Sequence, residues 1–189
     1  MNARAVLILK FMTLAVVVTV LVGLSGCQRP DPAQQPTLFQ VPMEYLHLMQ
    51  TPLPTQLPVP VEGVKPRQIS DTWGAARSEG RTHQGTDIFA KRGTPVLSTT
   101  EGMILSTGVN NLGGNVVWVL GPAMSRHYYA HLERYGDYQA NDWVQAGDVI
   151  GYVGNSGNAR TTPPHLHYGI YLNGEGAVNP YPYLHQRAN

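Results

Sequence analysis

Seven histidines are spread along the 189 residues. Two of them, His165 and His167, sit two apart in Pro163-Pro164-His165-Leu166-His167-Tyr168-Gly169-Ile170-Tyr171. Successive side chains of a strand point to opposite faces, so an extended chain here puts both imidazoles on one side. Leu166, Tyr168 and Ile170 then form an apolar row on the other side, suited to burial against a core. Imidazoles displayed in this way can ligate a metal or move protons near neutral pH. An H-x-H is common by chance, however, and needs partners from elsewhere in the chain.

A second group lies upstream in Arg81-Thr82-His83-Gln84-Gly85-Thr86-Asp87-Ile88-Phe89, an H-x-x-x-D. Gly85 and Thr86, followed by strand-like residues up to Ala90, argue against a helix, so spacing alone does not bring His83 and Asp87 together. In isolation Asp87 reads as a turn or capping residue and His83 as a solvated polar group. Joined to the H-x-H, two imidazoles and a carboxylate form the His₂-carboxylate kind of zinc set, which leaves a fourth position open for water. His131, in Tyr129-Ala130-His131-Leu132, is the fifth candidate. Strict alternation places it on one face with Tyr129 and His127. His127 itself reads as a structural histidine, His185 as part of a polar C-terminal tail, and His47 as a bystander.

These groups must be carried by short β-rich runs separated by glycine turns, at 94–99, 102–109, 115–120, 126–132, 148–153 and 165–172, and no long segment has helical periodicity. Twenty glycines and 15 prolines point the same way, because both residues interrupt helices and punctuate turns. The expected fold is all-β, an antiparallel sheet or sandwich over residues 67–189, about 120 residues and large enough to bury its own core. A formal net charge of +1, with 13% charged residues, gives no electrostatic case for nucleic acid, whose binding rests on many Lys and Arg neutralising phosphates.

The N-terminal part has a different composition. Arg4 and Lys10 precede an apolar run at 11–24, too short for a membrane span of about 20 apolar residues and suited to a secretory signal over 1–26. The run ends in Leu24-Ser25-Gly26-Cys27, which resembles the lipobox of bacterial lipoproteins. Cys27 is the single cysteine, so no intrachain disulfide can form, and the resemblance implies that it carries the lipid that holds the chain to a bilayer. Gln28 follows where an Asp would signal inner-membrane retention in a Gram-negative cell, which implies the outer membrane, facing the periplasm. Nine of the 15 prolines fall within 28–66, so 27–66 is expected to be an extended linker with a reach on the order of 100 Å. Within it, 43–49 is apolar enough to form a short helix or strand docked on the domain. An alternative is that this piece covers the active cleft.

Taken together, the motifs resemble the lysostaphin and LytM-type zinc metallopeptidases, which cut peptide bonds in peptidoglycan. The resemblance covers about residues 71–171. It rests on Trp73-Gly74-Ala75-Ala76-Arg77, His83-Gln84-Gly85-Thr86-Asp87-Ile88, Gly93-Thr94-Pro95-Val96, Tyr129-Ala130-His131-Leu132, Val144-Gln145-Ala146-Gly147-Asp148-Val149-Ile150-Gly151, Gly154-Asn155-Ser156-Gly157 and His165-Leu166-His167, in that order. Carried over by position, it makes His83, Asp87 and His167 the ligands of one zinc ion, and His131 and His165 catalytic imidazoles that do not ligate. Two features depart from the family pattern: the link 158–164, with Pro163-Pro164, is longer than usual, and Gly169 stands where a bulkier residue is frequent.

The resemblance implies a membrane-anchored endopeptidase acting on the peptide stems of peptidoglycan, such as D-alanyl-diaminopimelate crosslinks. An alternative class is a non-enzymatic activator of cell-wall amidases or a peptidoglycan-binding lipoprotein, although such relatives usually lack a ligand. A zinc storage or trafficking protein is a third class, poorly served by a site with only three protein ligands.

Overall fold

The structure is a computed structural model that describes residues 40–185. The expected signal segment 1–26, Cys27 and the first part of the proline-rich stretch lie outside the described residues. Helix α1 (Gln40–Gln50) is followed by strands β1 (Thr86–Phe89), β2 (Pro95–Leu97), β3 (Gly102–Asn110), β4 (Gly114–Leu120), β5 (Arg126–Tyr135), β6 (Trp143–Val144), β7 (Val149–Val153), β8 (His165–Leu172) and β9 (Gly176–Val178), then by the short helix α2 (Tyr181–His185). No helix among the described residues is long and apolar enough to cross a membrane.

The strands form one antiparallel sheet in the order β1-β8-β5-β4-β3-β6, with β9 on β8 and β7 bridging β5 to β2. The six runs read from the sequence all appear as strands. The strands it did not delimit as runs are the two- to four-residue β1, β6 and β9, too short for an alternating pattern to stand out. Beneath the sheet lie Ile88, Val96, Ile104, Val117, Val119, Leu132, Ile150, Leu166, Tyr168 and Ile170, each at most 2% exposed. The even-numbered residues of β8 therefore face the core and the odd-numbered ones face away, as alternation requires.

Two sequence expectations are corrected here. First, the stretch 27–66 is not a free linker throughout, and the folded body begins before residue 67. Leu57 and Val61 are buried core residues. The Leu57 N–H donates to Tyr183 O at 2.8 Å, Leu97 N–H donates to Pro60 O at 3.0 Å, and Val61 forms a bridge with Val96. Proline fixes an extended φ but leaves its carbonyl free to accept, so a proline-rich segment can lie along the border of a sheet as readily as it can leave it. Helix α1 docks as expected, with Leu48 fully buried and His47 paired with Glu101 at 3.0 Å. It contributes nothing to the lining of the cleft described below.

Second, His131 does not share a face with Tyr129 and His127. Asn115 pairs with Leu132 and Val117 with Tyr129, so one extra residue is inserted in β5 between Tyr129 and Leu132. His131 takes up this bulge with φ +63°, a left-handed conformation that few non-glycine residues adopt. Tyr129 and Leu132 both remain in the core although three positions separate them, and His131 is turned to the opposite side.

Candidate metal centre and cleft

Strand register brings the first two groups together. Asp87 on β1 is the cross-strand partner of His167 on β8, which is flanked on its other side by Ala130 of β5. His83 arrives from the hairpin that precedes β1, held by His83 N–H to Ala75 O and Gly74 N–H to His83 O, each at 2.9 Å. The three side chains converge: His83 Nε2 lies 2.8 Å from His167 Nδ1 and 3.0 Å from Asp87 Oδ1, and His167 Nδ1 lies 3.1 Å from Asp87 Oδ1. Among the described residues this is the only such group of potential metal ligands. Four-coordinate zinc, with ligands at about 2.0–2.1 Å, sets its ligand atoms about 3.3 Å apart, so this donor set fits such an ion with one position left over.

The surroundings fix these groups. His83 gives its Nδ1 proton to Thr72 O at 2.7 Å, which leaves the Nε2 lone pair for a metal. The Thr72 hydroxyl accepts the backbone N–H of Asp87 at 3.1 Å. Arg77 donates to Asp87 Oδ2 at 2.5 Å, on the oxygen turned away from the two imidazoles. Burial opposes ionisation of Asp87, but hydrogen bonds to His167 and His83 outweigh it and hold the carboxyl well below the usual carboxylate range. Burial lowers the His167 pKa, with Asp87 opposing. Gly85 leaves room for the His167 ring: a Cβ there would sit 2.6 Å from His167 Cε1 and from Tyr168 O. Thr72 carries no recognisable signal in the sequence. Arg77 and Gly85 lie inside quoted motifs, but their contacts depend on the fold.

The two other candidates complete the site. His165 gives its Nδ1 proton to Pro163 O and His131 gives its own to Ser156 O, each at 2.9 Å. Their ring centroids are 5.0 Å apart, and that of His131 is 5.9 Å from that of His167. Burial first, and then the neighbouring His165 and His167, push the His131 imidazole down to about 4, so it is neutral at neutral pH. All five expected residues thus meet in one cleft of about 1030 Å³, lined also by Trp118, Tyr128, Tyr171 and the 158–163 loop. The remaining histidines do not join it: His127 is fully buried, and His185 on α2 bonds to Pro66 O at 3.0 Å.

Two imidazoles and a carboxylate that could together hold a metal ion, with two further imidazoles beside them, are the donor set suited to a hydrolytic metal centre. The chain belongs to peptidase family M23, whose pattern it matches over residues 81–180. It is 44% identical over 124 residues to an L-Ala–D-Glu endopeptidase of Bacillus subtilis, covering 60% of this chain and 38% of that protein. It is 38% identical over 118 residues to the DD-carboxypeptidase/endopeptidase Mpg of Neisseria meningitidis serogroup B, covering 62% of this chain and 25% of that one. Among solved structures it resembles the catalytic domain of the antimicrobial peptidase lysostaphin from Staphylococcus simulans, with a TM-score of 0.57, 32% identity, and coverage of 62% of this chain and 92% of that domain. The chain therefore spans well under half the length of the two full-length relatives.

Proposed function

We propose that this protein is a zinc-dependent endopeptidase that hydrolyses peptide crosslinks of peptidoglycan, held to the outer membrane through lipid on Cys27 and facing the periplasm. The observation that carries the reading is the approach of His83 Nε2, Asp87 Oδ1 and His167 Nδ1 to within 2.8–3.1 Å of one another, beside two imidazoles whose Nδ1 atoms are already committed. A zinc ion held by these three side chains would supply a Lewis acid for the scissile carbonyl and lower the pKa of a bound water.

The chain's own residues supply the proton transfers. With Nδ1–H given to Pro163 O, His165 offers a lone pair at Nε2. One strand step from a ligand, it takes the proton of the attacking water. His131 stands on the other side of the cleft, 5.0 Å from His165 between ring centroids, and donates to the oxyanion or the leaving amine from Nε2 after receiving there the proton that His165 took from the water. The intact ligand set favours an enzyme over a non-enzymatic amidase activator. The two named relatives are described as endopeptidases, one on an L-Ala–D-Glu bond and one combined with DD-carboxypeptidase activity, which supports a substrate among the peptide stems of the wall.

The test is to incubate the zinc-loaded protein with isolated sacculi and identify released fragments by mass. Fragments cut within peptide crosslinks support the reading, and intact crosslinks overturn it. Replacing Cys27 by Ser should release the protein from membrane fractions, and retention there would remove the lipid anchor.

A further inference from the structure

The floor of the cleft is the outward face of β8, on which His165, His167, Gly169 and Tyr171 follow one another. The metal-binding groups occupy one part of this row. Beyond them comes Gly169, buried and outside the cleft lining, where a Cβ would lie 3.3 Å from both Gln84 O and Tyr171 Cε2. The Tyr171 ring occupies that space and meets Trp118 of β4 at 5.2 Å between centroids, and Trp118 in turn meets Tyr128 at 4.4 Å.

Arg126 sits at this aromatic corner, paired in register with Tyr171. Its guanidinium carbon lies 6.0 Å from the Trp118 ring centre and 5.9 Å from that of Tyr171. Arg126 is exposed, and among the described residues no carboxylate forms a salt bridge with it. Two aromatic faces steady a guanidinium by cation–π attraction while its planar fork of N–H donors stays free, and the complement of that fork is a carboxylate.

Resting on the endopeptidase reading above, we infer that the Trp118–Tyr171–Arg126 corner is a substrate subsite for a free carboxylate. Along β5, the partners of His167 and Tyr171 are Ala130 and Arg126, four residues or about 13 Å apart. That is the reach of about four residues of extended peptide. The preferred substrate is accordingly an acidic stem peptide whose carboxylate lies that far from the bond cut, laid along β8.

The test uses the full-length zinc-loaded protein and crosslinked stem-peptide dimers, fluorescently labelled through their free amine, with carboxylates either free or converted to carboxamides. Fluorescence anisotropy should show the free form binding roughly 10- to 100-fold more tightly. Arg126→Gln should bring the two forms to parity by weakening the free form, and Arg126→Lys, which keeps the charge without the fork, should fall between. In turnover the loss should appear in KM. Equal binding of the two forms by the wild-type protein, or an unchanged preference in Arg126→Gln with native zinc content and melting temperature, would overturn the subsite. Binding preference without cleavage of either form would leave the subsite standing and remove the endopeptidase reading. Cleavage of both forms with equal KM would do the reverse.

Discussion

His131 and His165 face each other across the cleft at 5.0 Å between ring centroids, and each spends its Nδ1 proton on a backbone carbonyl, Ser156 O for one and Pro163 O for the other. The carbonyls can only accept, so both rings carry hydrogen at Nδ1 and a lone pair at Nε2. His83 is fixed in the same tautomer by Thr72 O, yet its Nε2 points at Asp87 and His167, whereas those of the facing pair do not belong to the ligand cluster. Direction, not residue type, thus separates the group that could hold a metal ion from the two imidazoles beside it.

This separation predicts two phenotypes among five alanine substitutions. His83→Ala, Asp87→Ala and His167→Ala should lose bound zinc together with hydrolysis. His131→Ala and His165→Ala should keep near-stoichiometric zinc and lose turnover by about 10²–10⁴-fold. Elemental analysis of the purified variants, run beside a sacculus digestion assay, checks both. Equal metal loss in all five would refute the division of roles.

The outer contacts of the ligands give a finer prediction. Arg77 holds the Asp87 oxygen that faces away from the imidazoles, and partners of this kind typically contribute 10- to 100-fold to metal affinity or activity. Arg77→Ala should weaken zinc binding by about that factor, measured by competition with a chromogenic chelator. Gly85→Ala should be at least as damaging despite adding a single methyl group, because that carbon would be placed 2.6 Å from the His167 ring and from a backbone oxygen. Wild-type zinc affinity in both variants would show that the cluster is not held from outside.

Much of this site could be read from the residues alone. Alternation in β8 put His165 and His167 on one face and Leu166, Tyr168 and Ile170 in the core, and this is what the structure contains. What alternation could not supply is the place of His131, since a bulge breaks the very period on which the reading rests. Thr72 and Arg77 act across a hairpin and a strand, at distances in sequence that carry no periodic signal. Composition places 51–64 in a free linker, and the structure differs for a related reason. Composition reports that a chain is extended, and only the tertiary partners of Leu57 and Val61 decide whether it is extended against the domain or away from it.

That packing is itself testable. Leu57→Ala removes a core side chain that is 4% exposed and should cost about 2–5 kcal/mol of unfolding free energy. A truncation beginning at Lys65 deletes both Leu57 and Val61, with the hydrogen bonds they and Pro60 bring, and should lower the melting temperature more than a truncation beginning at Thr51. If the two truncations melt together, 51–64 is a passenger on the domain.

Part of the acid sensitivity should trace to a group outside the cleft, in addition to the lowered pKa values of His131 and His167 within it. Ser125 Oγ–H donates to Pro122 O at 2.7 Å, so Ser125 accepts the Nε2–H of His127 at 2.9 Å, and His127 Nδ1 is left to accept the Tyr168 hydroxyl at 2.7 Å. The Tyr168 oxygen in turn accepts Thr99 Oγ1–H at 2.8 Å, Thr99 accepts the Tyr129 hydroxyl at 2.9 Å, and Tyr129 accepts the Thr99 backbone N–H at 3.0 Å. Every proton in the chain runs in one sense, and a second proton on His127 would meet the Tyr168 O–H head-on. Complete burial pushes the His127 pKa down to about 3, against about 6.5 in an unfolded chain. Between these values the unfolded state binds the extra proton, so the stability that neutral His127 permits is present above pH 6.5 and is lost as pH falls toward 3, at a limiting slope of about 1.4 kcal/mol per pH unit. Denaturant unfolding from pH 7.5 to 5, with a chelator present so that metal release does not contribute, should show a shallower acid loss in His127→Gln than in the wild-type protein, whatever the variant's stability at neutral pH. Parallel slopes would mean that the buried chain tolerates the proton and that the acid sensitivity lies elsewhere.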